Sequence, residues 1–523
     1  MSDLGYNLIH RFNIGDALRR SAARYPARRA LHCAGRDVSY AELDALANRA
    51  ARLLSDAGVR RGDAVGILSL NSPEYVALLF GCARIGAPLV PVNLMLTADD
   101  IDYLLEKTHV RVLLVDPALE GKLNREGAVV TRLGRRWSMD AALREELEAL
   151  DGGAVEEFVE SDDTATIVFT SGTTARPKGV VYTHGNWYAV LLSLFGDIGF
   201  RRDESCLLAL PMFHVGGLAM TISTIAAGAE GIILPAIRVE AIAQAMREHK
   251  LTTMSLPATT WVGLLQTPGI ESLDFSSLKK PLVFQYLPTP IFNRWRELVP
   301  HAEWINYFGQ SETVSGASAC GAELGGLLHA PDPIGTAHLP VEIRVVDDEM
   351  RDLPAGQVGE FVMRGPSITP GYFEDAAANE ALFRGGWHHT GDMGYRDSNG
   401  CLYFVDRKKD MIKSGGENVS SQEVEEALSQ HGDVVEVAVV GIADPYWIEK
   451  VVAAVVPAAG SQVTEEALIA FARSRLASFK APKQVFLMRE LPKNPTGKVL
   501  KRVLREQLEA VERQEAAAGR STA

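Results

Sequence analysis

The chain has 523 residues, 47% hydrophobic and 23% charged, an ordinary globular composition that excludes a mostly disordered, collagenous or disulfide-scaffold protein. Its 53 Lys and Arg against 66 Asp and Glu leave a formal net charge of -13, which argues against a broad nucleic-acid or anionic-membrane surface. A polyphosphate ligand therefore needs cations gathered locally by the fold.

Ser39 to Gly58 reads as an amphipathic helix, with Leu43, Leu46, Ala47, Ala50, Leu53 and Leu54 on one face, Ser39 as cap and Gly58 as stop. Apolar runs then alternate with helical stretches: Val65–Leu70, a helix opened by Pro73, Leu89–Val92, and Val110–Val115. Such alternation predicts a mostly parallel sheet covered by helices. A second series starts at Thr164, with strands expected at Ala165–Thr170, Cys206–Leu210, Gly231–Leu234, Thr253–Leu256, Leu282–Tyr286 and Trp304–Tyr307. Ser205 to Ala229 carries no Asp, Glu, Lys or Arg, yet Pro211, Gly216 and Gly217 break it into strand, turn and helix rather than a membrane span. Beyond residue 335 short strands with turns (Val341–Val346, Gly359–Arg364, Cys401–Val405) suggest a small antiparallel, barrel-like unit.

From Lys409 the order is strand, helix (Ser420–Gln430), strands (Val434–Val440, Val451–Val456), helix (Thr464–Leu476) and a last strand (Pro482–Met488), followed by a polar tail expected to fray from Glu515. The fold expected is α/β: a large N-terminal domain, 1–408, of mostly parallel helix-covered sheets plus the barrel-like subdomain, and a small mobile α+β domain, 409–523. Cys33, Cys82, Cys206, Cys320 and Cys401 are scattered with no CxxC, which fits isolated thiols in a reducing compartment and neither a zinc ribbon nor a redox pair. With no basic stretch followed by an apolar run near Met1, a cytoplasmic chain without signal peptide or transmembrane segment is expected.

The strand ending at Thr170 runs into Ser171-Gly172-Thr173-Thr174-Ala175-Arg176-Pro177-Lys178-Gly179. Hydroxyls of Thr170, Ser171, Thr173 and Thr174 can donate to phosphate oxygens, and Gly172 and Gly179 allow close backbone approach. Lys178 brings a compact positive charge, with Arg176 beside it. The loop is not a Walker loop, because GxxxxGK[ST] is absent. Tyr307-Phe308-Gly309-Gln310-Ser311-Glu312 offers an aromatic face for a purine, a hydroxyl and a hard oxygen ligand suited to Mg²⁺.

Thr170 to Gly179 resembles the phosphate-loop signature of the adenylate-forming enzymes, which include acyl-CoA synthetases, peptide-synthetase adenylation domains and luciferases. Ala175 stands where that family commonly has Gly. The resemblance runs through nearly the whole chain, with further motifs in the family's order, and it implies roles. Phe308 packs on adenine, Ser311 contacts the α-phosphate or acyl carboxyl, and Glu312 holds Mg²⁺. Trp387-His388-His389-Thr390-Gly391-Asp392 is similar to the Thr-Gly-Asp motif, with Asp392 accepting from both ribose hydroxyls. Tandem His388 and His389 lack a third ligand in sequence and read as packed or solvated side chains. Tyr403 to Asn418 resembles the interdomain hinge, with Arg407 on ribose or phosphate, Lys409 as hinge, and Lys413-Ser414-Gly415-Gly416 beside the CoA arm. Asn494-Pro495-Thr496-Gly497-Lys498 resembles the catalytic-lysine loop, with Lys498 bridging carboxylate and α-phosphate. Leu210 to Gly217 resembles the acyl-CoA synthetase segment whose histidine, here His214, sits between acyl group and thiol tunnel.

The resemblance implies a carboxylate–CoA ligase that takes a carboxylic acid, ATP, Mg²⁺ and CoA through acyl-AMP. One departure is Val283-Phe284-Gln285-Tyr286, where the family usually has a Gly-Gly-Ala-Pro-like stretch. It implies either a reshaped acyl pocket or impaired ATP seating; the latter leaves an enzyme that only transfers a supplied acyl-adenylate to CoA, and an inactive nucleotide-binding homologue is the remaining reading. Trp261, Phe284, Tyr307 and Gly309, with His214, are the expected pocket walls, and their apolar, aromatic character favours a fatty, aryl or polycyclic acid. Small molecules are the expected partners, with a second copy of the chain as the one protein partner considered.

Overall fold

The computed structural model describes residues 3–124, 133–170, 176–284, 287–314, 316–320, 332–414, 417–444, 446–493 and 497–521. Among these, three sheets organise the chain. The first has six strands in the order Arg135–Ser138, Val112–Val115, Val65–Leu68, Leu89–Pro91, Thr164–Thr170 and Lys178–Thr183. Its pairs are parallel except the last, a hairpin whose register sets Thr170 opposite Lys178. The Thr164–Thr170 strand, expected to open the second series, thus closes the first.

The second sheet follows a thirteen-strand path among the described residues. Its parallel half runs Arg29–Cys33, Glu230–Ile233, Ser205–Leu208, Thr253–Pro257, Lys280–Phe284 and Ile305–Phe308. Its antiparallel half continues through Ala317–Cys320, Asp332–Ala337, Leu402–Arg407, His388–Arg396, Gly359–Arg364 and Glu342–Val346. The antiparallel unit beyond residue 335 is therefore joined edge to edge with the parallel sheet. An Arg36–Ser39 strand closes the far edge, a short pairing that periodicity did not show.

The helices expected at Ser39 and Pro73 form where the pattern places them. Ser39 caps Tyr40–Asp56 in a reciprocal box with Glu42, and Gly58 leaves the helix at φ +85°. Ser72 caps Pro73–Arg84, with Pro73 in the first turn where its missing N–H costs nothing. The uncharged stretch is the Ser205–Leu208 strand, a turn, and the Val215–Ala227 helix. No helix of the described residues is long and apolar enough to cross a membrane.

The third sheet orders Glu417–Val419, Ile412–Ser414, Ile448–Pro457 and Val434–Asp444, with Gln484–Leu487 pairing in parallel on Ile448–Pro457. Helices Ser421–Ser429 and Glu465–Arg473 bury Val424, Leu428, Leu468 and Ala472 against one face. A further helix, Lys501–Ser521, covers the other face with Leu504 and Leu508. The tail expected to fray from Glu515 is thus helical to Ser521.

Candidate functional site

Strand pairing does most of the positioning. The Ile305–Phe308 strand turns at residues 309–314 before the chain pairs back as Ala317–Cys320. That turn is tied by Val314 N donating to Gln310 O (2.8 Å), Gln310 N to Thr313 Oγ1 (3.0 Å) and Gly316 N to Phe308 O (3.0 Å). It presents Gly309, Gln310, Ser311 and Glu312 together at the strand end. Phe308 is half-buried beside the rings of Phe361 and Phe404. The Ser311 carbonyl accepts from the Tyr182 hydroxyl.

Opposite lies the hairpin of His388–Arg396 and Leu402–Arg407, whose register sets Asp392 directly across from Arg407. Cross-strand neighbours of opposite charge attract, and Arg407 Nε stands 3.1 Å from Asp392 Oδ1. Gln310 Nε2 donates to Asp392 Oδ2 (2.5 Å) and to Thr390 O (2.8 Å). Asp392 is almost wholly buried. Burial pushes its carboxyl up, while Arg407, Gln310 and Lys498 pull it back. Gln310 was not singled out in sequence; its bond to Asp392 spans 82 residues, and no local signal announces it.

Lys498 follows Gly497 at φ +80°, a conformation that favours glycine. A Cβ at Gly497 would come 2.2 Å from Thr259 Oγ1, on the Ala258–Leu265 helix. Lys498 exposes much of its own surface, and its ammonium lies within reach of the Arg407, Lys409, Asp392 and Asp410 charges. The Arg407 charge and burial push it down to about 8, while Asp392 and Asp410 pull it up. Lys498, Arg407 and Asp392 thus share one electrostatic neighbourhood, although they come from the C-terminal loop and two strands.

On the other flank, Glu312 Oε1 accepts from the Tyr372 hydroxyl (2.8 Å), and Lys178 Nζ lies 4.8 Å from the centre of the Tyr372 ring. Thr170 is half-buried at the head of the same hairpin, and Arg176 lies over the Tyr103 ring. Ser171, Gly172, Thr173, Thr174 and Ala175 lie outside the described residues, as do Gln285, Tyr286, Gly415, Gly416 and Asn494 to Thr496. The donor set fits Mg²⁺ in one respect: Glu312 brings a carboxylate beside Lys178 and Tyr372, and a hard cation in such sites takes one or two carboxylates plus phosphate oxygens and water. Among the described residues no group of three His, Cys, Asp or Glu could hold a metal by itself.

His214 caps the Val215–Ala227 helix without a side-chain cap bond. Its ring packs on Phe213, and its Nε2 is buried without a hydrogen-bond partner among the described residues. Burial pushes its imidazole down to about 4, so it is neutral at pH 7. Tyr307 and Phe284 are half-buried, with Tyr307 beside His338, and Gly309 is exposed. Trp261 differs from its expected place as a pocket wall. It is fully buried against Trp295 and Trp304, and Nε1 donates to Leu282 O (3.3 Å), so it is a core side chain backing the strand end. His388 is buried and His389 faces Glu360 and the Arg384 carbonyl, a packed pair. Lys409 is exposed in the turn between Leu402–Arg407 and Ile412–Ser414; Lys413 is exposed and Ser414 buried.

The model of the AMP-binding enzyme family matches residues 18–373, and that of the AMP-binding enzyme C-terminal domain matches 423–498. Feruloyl-CoA synthase of an Amycolatopsis species is 33% identical over 486 residues, covering 92% of this chain and 96% of that protein. ATP-bound MatB from Rhodopseudomonas palustris superposes with a TM-score of 0.87 at 28% identity, covering 96% of this chain and 100% of that one. The anthranilate CoA ligase AuaEII in complex with anthranoyl-AMP gives 0.89 at 25% identity, covering 96% and 98%. The chain belongs to the AMP-binding enzymes, the adenylate-forming family, and is of their acyl-CoA synthetase type.

Proposed function

We propose that this enzyme joins a hydrophobic carboxylic acid, of fatty, aryl or polycyclic type, to CoA through an acyl-adenylate. The observation that carries this reading is the shared neighbourhood of Lys498, Arg407 and Asp392, tied through Gln310 to the turn that carries Glu312, which Tyr372 links to Lys178. A carboxylate oxygen attacks the α-phosphorus of ATP, the bond to the bridging oxygen breaks, and pyrophosphate leaves. Lys498 stabilises the negative charge shared by carboxylate and α-phosphate, a charge-stabilising role that fixed cations fill well in a crowded site. Asp392 takes the ribose hydroxyls, Arg407 the ribose or phosphate, Phe308 the adenine, and Ser311 the α-phosphate. Thr170, Ser171, Gly172, Thr173, Thr174 and Lys178 cradle the outgoing phosphates. Mg²⁺, held by Glu312, supplies charge neutralisation on the phosphates when bound.

In the second half-reaction the CoA sulfur attacks the acyl carbon, the carbon–oxygen bond to AMP breaks, and the thiol proton leaves to solvent. The chain divides into 1–408 and 409–523, and the small part turns on Lys409 to bring Lys413, Ser414, Gly415 and Gly416 to the CoA arm. Neutral His214 stands between acyl group and thiol path. Phe284 and Tyr307, which are aromatic, and the absence of a charged wall among the named pocket residues favour an aryl acid within the hydrophobic class; the feruloyl and anthranilate relatives support the same choice. The test incubates the protein with Mg-ATP, CoA and a panel of aryl and fatty acids. Pyrophosphate and acyl-CoA are expected with an aryl acid and lost in Lys498→Ala. An enzyme silent with every acid, yet converting a synthetic acyl-adenylate and CoA to thioester, contradicts the adenylating reading.

A further inference from the structure

The segment 369–373 is absent from the motifs that carry the nucleotide reading, yet it is built into the site from both sides. Val181 N donates to Gly371 O (3.0 Å) and Phe373 N to Gly179 O (2.7 Å), so the segment lies along the strand that starts at Lys178. Thr369 N donates to Glu312 O (2.9 Å), and Thr369 Oγ1 donates to Val181 O (2.6 Å). Asn379 holds Tyr372 at both ends of its backbone: its Oδ1 accepts from Tyr372 N (2.7 Å), and its Nδ2 donates to Tyr372 O (3.0 Å). Gly371 sits at φ +141°, where a Cβ would come 2.7 Å from Asn379 Oδ1, so the approach is close by construction.

That clamp fixes one half-buried side chain between two opposite charges. The Tyr372 hydroxyl donates to Glu312 Oε1 at 2.8 Å, and Lys178 Nζ lies 4.8 Å from the ring centre. Among the described residues no ion pair joins Lys178 to Glu312 directly. Such a pair would neutralise both groups and withdraw them from a triphosphate and its cation. A tyrosine between them satisfies the carboxylate through its edge and the ammonium through its face, without removing either charge.

We infer that Tyr372 is a positioning residue of the ATP site: it orients Glu312 for the divalent cation and keeps the Lys178 ammonium apart from that carboxylate, free for the β- and γ-phosphates. The inference rests on the ATP-binding reading above and names a residue that reading does not use. Its two halves separate by substitution. Tyr372→Phe removes the hydroxyl and keeps the face; Tyr372→Leu removes both.

The test measures ATP binding to the full-length protein by calorimetry, across a Mg²⁺ series and in EDTA, with melting temperature recorded for each variant. Loss of a hydrogen bond to a charged group predicts that Tyr372→Phe needs about tenfold more Mg²⁺ for half-maximal ATP affinity, with metal-free ATP binding and melting temperature nearly unchanged. Tyr372→Leu is expected to weaken metal-free ATP binding as well. A Tyr372→Phe protein with wild-type Mg²⁺ dependence overturns the inference, as does one that melts early and loses affinity equally at every Mg²⁺ concentration. If the wild-type protein itself binds no ATP, the ATP-site reading falls and this inference with it.

Discussion

Lys498 is the residue whose charge the site controls most directly. Its ammonium shares space with the Arg407 guanidinium and is pushed down to about 8. Only the charged form can stabilise a negative phosphate, so the sign follows: adenylation is fully supported below that value and is lost as pH rises through it. kcat/KM for ATP in the pyrophosphate-forming step should therefore fall along an alkaline limb near pH 8. Arginine stays charged throughout, so Lys498→Arg should be slower but without that limb. A wild-type profile that stays flat up to the ordinary lysine range of about 10.4 contradicts this assignment. The residue scale is also where sequence reading stopped short. Lys498, Asp392 and Arg407 sit in recognisable motifs, but Gln310 and Tyr372 do their work through partners 82 and 60 residues away, and such pairing is set by register across sheets. Trp261 went the other way: an aromatic near a pocket motif reads as a wall until its packing on Trp295 and Trp304 is seen.

At the scale of elements, the Val215–Ala227 helix shows how a backbone approach sets the side chain proposed for the thiol path. A Cβ on Gly217 would come 2.2 Å from Pro211 O and 2.9 Å from Leu210 O, backbone atoms that cannot swing aside. The helix start is thereby pressed onto the turn that carries His214, its N-cap residue. Gly217→Ala should cost about 1–3 kcal/mol through overpacking and displace His214. The expected readout is a lower melting temperature together with a thioester-forming step slowed more than pyrophosphate release. Equal slowing of both steps would remove His214 from the thiol path. Most elements were legible because apolar period and capping agree locally, as in Ser39 with Glu42 and Ser72 with Pro73. The Arg29–Cys33 and Arg36–Ser39 hairpin and the Lys501–Ser521 helix were not. The hairpin strands are five and four residues long, and the helix is rich in charged residues with a thin apolar stripe, so each takes its stability from distant packing.

At the scale of the molecule, the site draws on two sheets: Lys178 opens the last strand of the first, Glu312 follows the Ile305–Phe308 strand of the second, and Asp392 lies within its His388–Arg396 strand. Among the described residues, the C-terminal part meets the rest of the chain at several points, including Gly497 against Thr259 and Thr289 Oγ1 donating to Glu426 Oε1 at 2.9 Å. Asp406 adds a link beside the proposed hinge, accepting from Ser421 N (2.7 Å) and Ser421 Oγ (2.6 Å). In this arrangement Lys498 shares its electrostatic surroundings with Asp392 and Arg407, the placement that the proposed adenylation step calls for. The broad architecture was legible in the alternation of strands and helices. The junction of the antiparallel unit with the parallel sheet was not, because edge-to-edge pairing leaves no mark on either strand's own period.

The central claim is that the acid becomes an acyl-adenylate on this chain. The most direct measurement supplies an aryl acid labelled with ¹⁸O in its carboxylate, together with Mg-ATP and CoA, and weighs the nucleotide product. Attack of the carboxylate on the α-phosphorus followed by thiolysis at the acyl carbon predicts AMP carrying one labelled oxygen, formed in step with acyl-CoA and pyrophosphate. Unlabelled AMP, or ADP in its place, would contradict the account.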